Sequence, residues 1–244
     1  MTHPHATRTL ITGAGRGLGL EFARQCLDRG DRVYAGVRNP SAAVELHTLA
    51  KTHQERLFVF PLDVTDPASL EKARDLVGAE TDWLDLLVNN AGINSKALDE
   101  DHKNLRFGSL EASGMVTMFE VNAVAPILVV QRFVDLLEKA EHPRLLNVSS
   151  WLGSIAEKNS GGNYAYCASK AALNMLTRTL AHDLAERDII TLAFNPGWVK
   201  TDMGGAKAHL SPTQSVCGIL GTSDTATIED TGSFFQWDGS KHPW

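Results

Sequence analysis

The chain has 244 residues, 43% hydrophobic and 21% charged, with a formal net charge of −6. That length is ordinary for one α/β domain, 1–244, and lets a core form without disulfides or metals. The acidic balance, with no block of basic residues, argues against a nucleic-acid or anionic-membrane partner. The three cysteines, Cys26, Cys167 and Cys217, form no Cys-x-x-Cys pair and suit a reducing, cytoplasmic setting. The start, Met1 to His5, has no apolar signal core. The longest apolar stretch, 121–130, is broken by Asn122 and Pro126 and is too short to span a bilayer.

In chain order, β-branched apolar runs alternate with amphipathic segments. The pattern predicts a strand over 9–12, a glycine-rich turn, and a helix carrying Phe22, Ala23, Cys26 and Leu27 that stops at Gly30. Strands follow over 32–36 and 57–62. Leu70, Ala73 and Val77 then recur at helical spacing behind Asp66-Pro67, a cap and a first-turn proline. Further on come a strand over 84–88, a helix over 113–138, a strand over 144–148, a helix over 164–187 and a strand over 189–194. A short strand over 232–236 ends the series. The step Ser211-Pro212 can open one more helix. This alternation implies a Rossmann-type, doubly wound parallel sheet with helices on both faces, its ligand beyond the carboxyl ends of the strands.

The first predicted strand ends in Thr12-Gly13-Ala14-Gly15-Arg16-Gly17-Leu18-Gly19 and runs straight into a helix. Glycines there let backbone N–H groups approach a pyrophosphate at the helix N-terminus. An NAD site carries an acid about 20 residues further on to hold the ribose 2′-hydroxyl. Here the second strand ends Tyr34-Ala35-Gly36-Val37-Arg38, with no carboxylate. Arg38 and Arg16 can instead pair with a 2′-phosphate, which makes NADP(H) the expected cofactor.

Tyr166 and Lys170, i and i+4, share one face of the long predicted helix, and an ammonium beside a phenol, together with the positive nicotinamide ring of an oxidised cofactor, favours the phenolate. The expectation is a Tyr166 pKa below the ordinary value of about 10. Ser149 and Ser150 end the fifth strand, where a hydroxyl can hold a carbonyl oxygen.

Taken together these segments resemble the short-chain dehydrogenase/reductase family, in its compact single-domain branch, over nearly the whole chain. The motifs are Gly13-x-x-x-Gly17-x-Gly19, Asp63, Asn89-Asn90-Ala91-Gly92, Asn122, Ser150, Tyr166-Cys167-Ala168-Ser169-Lys170, and Pro196-Gly197 followed by Thr201. The resemblance implies Tyr166 as acid/base, with Lys170, Ser150 and Asn122 completing the catalytic set. Alignment on Gly153 selects Ser150 over Ser149. Asn122 would place a water linking the lysine to solvent, or be a locally satisfied helix residue. Cofactor contacts would come from Gly13, Arg16, Gly17, Leu18, Gly19, Arg38, Asp63, Val64, Asn90, Ala91, Gly92, Tyr166, Lys170, Pro196, Gly197, Val199 and Thr201. Asp63 reads equally as a turn residue, and Asn89 as a tie between neighbouring strands.

The implied reaction is reversible reduction of a small-molecule ketone or aldehyde to an alcohol, by a homodimer or homotetramer. The run 196–205 and the end 238–244 look like the C-factor-like carbonyl reductases of the family, a branch that includes a developmental signalling protein. A second reading is therefore an NADP(H)-binding signalling or sensor protein in which turnover is secondary. The nine histidines form no recognised ligand spacing, so no metal is expected, and no Gly-x-Ser-x-Gly elbow supports a hydrolase. The loops at 93–108 and 198–215 would shape substrate choice.

Overall fold

The computed structural model describes residues 6–98 and 106–244; His3, His5 and part of the loop at 93–108 lie outside them. The first half of the chain gives β1 (Arg8–Thr12), α1 (Gly17–Asp28), β2 (Arg32–Val37), α2 (Val44–Thr52), β3 (Leu57–Pro61), α3 (Pro67–Glu80) and β4 (Leu86–Asn89). The second gives α4 (Ala112–Phe119), α5 (Ala125–Leu137), β5 (Arg144–Val148), α6 (Tyr164–Ala185), β6 (Ile190–Asn195), α7 (Pro212–Thr225) and β7 (Phe234–Gln236).

The strands form one seven-stranded sheet in the order β3-β2-β1-β4-β5-β6-β7, all neighbours parallel. This is the expected doubly wound fold. Side chains alternate across it. Ile11, Val33, Ala35, Val88 and Leu146 pack with Phe22 and Cys26 of α1 and Ile219 of α7. Leu10, Tyr34, Leu87 and Leu145 face the other way, onto Leu70 and Val77 of α3 and Val129 and Phe133 of α5. Burial on both faces is why the strands read as continuous apolar runs. The order reverses between β1 and β4, so a crevice opens beyond their carboxyl ends.

Three local differences from the sequence expectation have physical causes, and one expected helix start is met. Helix α2 was not expected, because its inward stripe is short, with Leu46 its one buried residue and Leu49 and Ala50 partly buried beside it. Strand β4 begins two residues late, since the Leu84 N–H donates to the Leu136 carbonyl (3.0 Å) instead of joining the ladder. Helix α7 does begin at Ser211-Pro212, through a capping box with Gln214. The single helix expected over 113–138 contains a π-turn, Glu120–Val124, in which the Ala125 N–H reaches back to the Glu120 carbonyl. By length and composition the run Ala112–Leu137 is apolar enough to cross a membrane, longer than the stretch 121–130 suggested. Its Val129, Val130, Phe133, Leu136 and Leu137 lie against the sheet.

Candidate active site

The glycine loop joins β1 to α1. Gly13 and Gly17 sit at φ of +65° and +56°, which other residues rarely adopt. Gly19 meets a tighter demand: a Cβ there would lie 2.2 Å from the Gly13 carbonyl oxygen. Arg16 occupies the N-cap of α1 in extended conformation with no side-chain cap, and the first turn holds no acid. The leading N–H groups of α1 are thus left uncapped by side chains, where an anion is favoured.

Thr12 and Asn90 brace this loop. The Thr12 hydroxyl accepts from the Asn90 and Ala91 backbone N–H groups, both at 3.1 Å. The Asn90 amide donates to the carbonyls of Thr12 (3.0 Å) and Gly13 (3.1 Å). Asn90 therefore acts on the loop's shape, its donors already engaged. Asn89 ties β4 to β5 and α5, through the Asn147 side chain (2.9 Å) and the Pro126 carbonyl (3.1 Å).

Arg38, exposed just past β2, lies close enough to Asp63 to help hold that carboxyl below its ordinary range. Burial is the largest single effect and raises it, but hydrogen bonds from the Thr65 hydroxyl (2.7 Å) and backbone N–H (3.0 Å), with Arg38, together outweigh it. Asp63 is thus a turn residue at the cofactor end of the site. Val64 and Leu18 send their side chains into the two core layers. Any contact they make with a ligand would come from the backbone.

Ser150 follows β5 and caps a short turn, its hydroxyl accepting from the Leu152 N–H (3.2 Å). Tyr166 and Lys170 stand on the first turns of α6. Lys170 is buried and donates to the Val148 carbonyl (2.8 Å), with its ammonium 6.0 Å from the Tyr166 ring centre. Burial pulls Lys170 down to about 8. Burial likewise pushes Tyr166 up to about 12, while the nearby Ser150 hydroxyl pulls it back and Cys167 adds to the rise. The lowering expected from Lys170 was tied to an oxidised nicotinamide; in the protein alone burial is the largest effect, and its direction is upward. Desolvation outweighs an ammonium that is directed at a backbone carbonyl.

Asn122 lies in the π-turn and is buried. Its side chain accepts from the Ile93 N–H (2.8 Å) and donates to the Ile93 carbonyl (2.9 Å) and the Ser169 hydroxyl (3.1 Å). These bonds fasten the loop after β4 to α6. Gly92 sits beside it, where an added Cβ would lie 3.2 Å from Asn122 Oδ1 and 3.7 Å from Lys170 Nζ.

The loop after β6 completes the crevice. Pro196 anchors it through its carbonyl, which accepts from Ser215 of α7 (2.7 Å). Gly197 turns it at φ +77°, and Val199 is buried and bridged to Leu210. Thr201 faces the glycine loop, its Cγ2 being 3.4 Å from where a Gly17 Cβ would stand. Lys96 reaches across from the loop after β4 to the carbonyls of Asp202 (3.1 Å) and Met203 (3.2 Å). Arg16 pairs with Asp202 at 3.5 Å, both well exposed. Among the described residues no group of three or more His, Cys, Asp or Glu gathers as a metal site.

Sequence reading missed Asn174, which is buried in α6 one turn beyond Lys170. It accepts from the Ser149 hydroxyl (2.6 Å) and donates to the Gly153 carbonyl (3.1 Å), holding both ends of the Ser150 loop. The available signal was a polar residue on the inward stripe of a helix, shared with Thr177, which receives the Asn147 amide (2.8 Å).

Comparison with known proteins agrees with this geometry. The family model for short chain dehydrogenases matches residues 7–210. The C-signal protein of Myxococcus xanthus is 37% identical over 161 residues, 66% of this chain and 93% of that protein. The NADPH-bound carbonyl reductase from chicken fatty liver superposes with a TM-score of 0.89 at 36% identity, covering 98% of this chain and all of that one. The carbonyl reductase Sniffer of D. melanogaster gives 0.90 at 33% identity, with the same coverage. A glycine loop, a Ser150–Tyr166–Lys170 cluster and a match across most of the chain lead to one conclusion: the protein belongs to the short chain dehydrogenase family of oxidoreductases.

Proposed function

We propose that the protein is an NADP(H)-dependent carbonyl reductase acting on a small-molecule ketone or aldehyde. One observation carries the reading: Ser150, Tyr166 and Lys170 converge beyond the carboxyl end of β5, in the crevice bordered by the glycine loop. The residues present fit a dinucleotide. The loop has the backbone shape and the uncapped helix start that a pyrophosphate needs. Arg16 and Arg38 supply positive charge where an NAD site would carry an acid.

The glycine loop, Arg16 and Arg38 would hold the dinucleotide, whose reduced nicotinamide would supply the hydride for the carbonyl carbon. The chain's own residues deal with the oxygen. The Ser150 hydroxyl donates a hydrogen bond that orients it. Tyr166, kept in its acid form by burial, delivers the proton that balances the hydride, and the product is the alcohol. The Lys170 charge stands near the phenolate left behind and favours it.

The test is to follow loss of reduced nicotinamide against a panel of ketones, aldehydes and quinones, with NADPH and NADH in parallel. Turnover with NADPH and little with NADH is the expected result. Preference for NADH would remove the roles given to Arg16 and Arg38. Tight NADPH binding with no turnover would favour the signalling reading, which the similarity to C-signal motivates.

A further inference from the structure

The tail after β7 has no part in the chemistry above, yet it ends against the catalytic loop. Residues 238–244 fold back antiparallel along β7, with a bridge between Phe235 and Lys241 and the His242 N–H donating to the Phe234 carbonyl (2.8 Å). The Trp244 ring stacks on Phe234, centroids 5.2 Å apart at 27°, and the Arg178 guanidinium of α6 lies 5.8 Å from its centre. So anchored, the Trp244 main-chain oxygen accepts from the Ile155 N–H (2.7 Å), the Ala156 N–H (3.0 Å) and the Ser154 hydroxyl (3.1 Å).

Those three residues continue directly from the Ser150 turn. Its inner side is held by Asn174 and pressed on α6 at Gly153, where a Cβ would come within 2.9 Å of the Lys170 backbone. Its outer side has the tail. The chain between this loop and Tyr166 is tied at its start, where the Glu157 N–H donates to the Ser154 hydroxyl (3.2 Å) and the Lys158 N–H to the Ile155 carbonyl (3.4 Å), and is loosely held beyond: residues 159–161 are exposed, and Gly161 and Gly162 have open space around them. Covalent connection through such a segment fixes the relative position of two groups poorly, whereas hydrogen bonds to packed elements fix it well.

We propose that Trp244 is a positioning residue: it clamps the 154–156 loop from outside and so holds Ser150 in register with Tyr166 and Lys170. The proposal rests on the reductase reading. The tail thereby joins β7, α6 and the serine loop into one support for the substrate oxygen.

The experiment compares wild type, Trp244→Ala, Trp244→Phe and Ser154→Ala in the full chain. It reads steady-state kinetics, NADPH affinity by fluorescence, and amide exchange at Ile155 and Ala156. Trp244→Ala should lower kcat about tenfold, as misplacement of a reacting group does, with NADPH affinity within about twofold of wild type. Trp244→Phe keeps the stack on Phe234 and should restore most of kcat. Ile155 and Ala156 should exchange about tenfold faster in Trp244→Ala, since local opening sets their protection. Ser154→Ala removes one of the three bonds to the tail, together with the bond its hydroxyl accepts from the Glu157 N–H (3.2 Å), and should show the same pattern more weakly, which covers the case of a Trp244 variant that does not fold.

Unchanged exchange in a folded Trp244→Ala would overturn the clamp. Faster exchange with kcat per folded molecule unchanged would overturn the positioning role and leave only a cover for the sheet edge. Absence of turnover in wild type would overturn the reductase reading and with it the catalytic role of the clamp. In that event the exchange data alone decide whether the tail holds the loop.

Discussion

Enclosure holds the Tyr166 phenol in its acid form well past neutral pH, with the Ser150 hydroxyl pulling its ionisation down and Cys167 pushing it up. The sign follows directly. A proton donor is active while protonated, so the reductive kcat should be flat up to about pH 8, ease as Lys170 gives up the charge that favours the phenolate, and fall away in stronger alkali as the phenol approaches its ionisation near 12. Ser150→Ala removes the hydroxyl that favours the phenolate, and should move that alkaline limb to higher pH as well as slow turnover. Tyr166→Phe should reduce kcat by a factor on the order of 10³ with NADPH binding little changed, measured by single turnover and titration. Lys170 gives the converse case. A lysine with a folded pKa near 8, below its ordinary 10.5, costs stability when charged. That cost is full below pH 8 and disappears as pH rises toward 10.5. Lys170→Met should therefore raise the stability at pH 7 by ~2 kcal/mol, after allowing for the lost bond to the Val148 carbonyl, while activity is lost. The gain should shrink between pH 8 and 10 in thermal melts. A gain that is constant with pH would mean that packing, not charge burial, explains it.

At the scale of elements, the β1–α1 turn has the least tolerance. A methyl at Gly19 would occupy the space of the Gly13 carbonyl, so Gly19→Ala must displace either the loop or the helix. The expected outcome is at least tenfold weaker NADPH binding, read by titration, together with a loss of ~1–3 kcal/mol in denaturant unfolding. That constraint was legible in the sequence because glycines between a strand and a helix have few other uses. Much of the remaining fold was legible for a similar reason. Strands buried on both faces and helices such as α3, with Asp66 capping the Ala68 N–H at 2.9 Å, show their apolar pattern and end signals locally. What was hidden depends on contacts distant in sequence. Helix α2 lies on the outside with a single buried side chain. The π-turn around Asn122 follows from the reciprocal bonds to Ile93, which no local pattern announces. The candidate site divides in the same way. Tyr166, Lys170 and Ser150 follow from motif spacing, whereas Asn174 and the raised phenol pKa depend on how α6 seats against β5.

Across the whole molecule, stability and chemistry occupy opposite edges of the sheet. The carboxyl edge carries the strained glycines, the buried lysine and the loops. The amino edge carries an ion network. Arg29, at the end of α1, pairs with the buried Asp31 at 2.7 Å and with Asp224 of α7 at 3.2 Å. Arg144, at the start of β5, reaches the same Asp224 at 3.0 Å. Asp31 also accepts from the Thr9 hydroxyl at 2.9 Å, so one carboxylate ties β1 to the α1–β2 corner. Removing Asp31 leaves the Arg29 guanidinium with Asp224 alone and the buried Thr9 hydroxyl without its acceptor, which costs more than the pair itself contributes. Asp31→Ala should therefore destabilise the protein by ~3 kcal/mol in denaturant unfolding, within the range seen when one partner of a buried pair is removed. Because the network lies a full strand length from Ser150 and Tyr166, kcat and NADPH affinity of the folded variant should match wild type. A substantial fall in kcat per folded molecule would show that the two edges are coupled through the sheet, and that the network supports the active-site geometry as well as the fold.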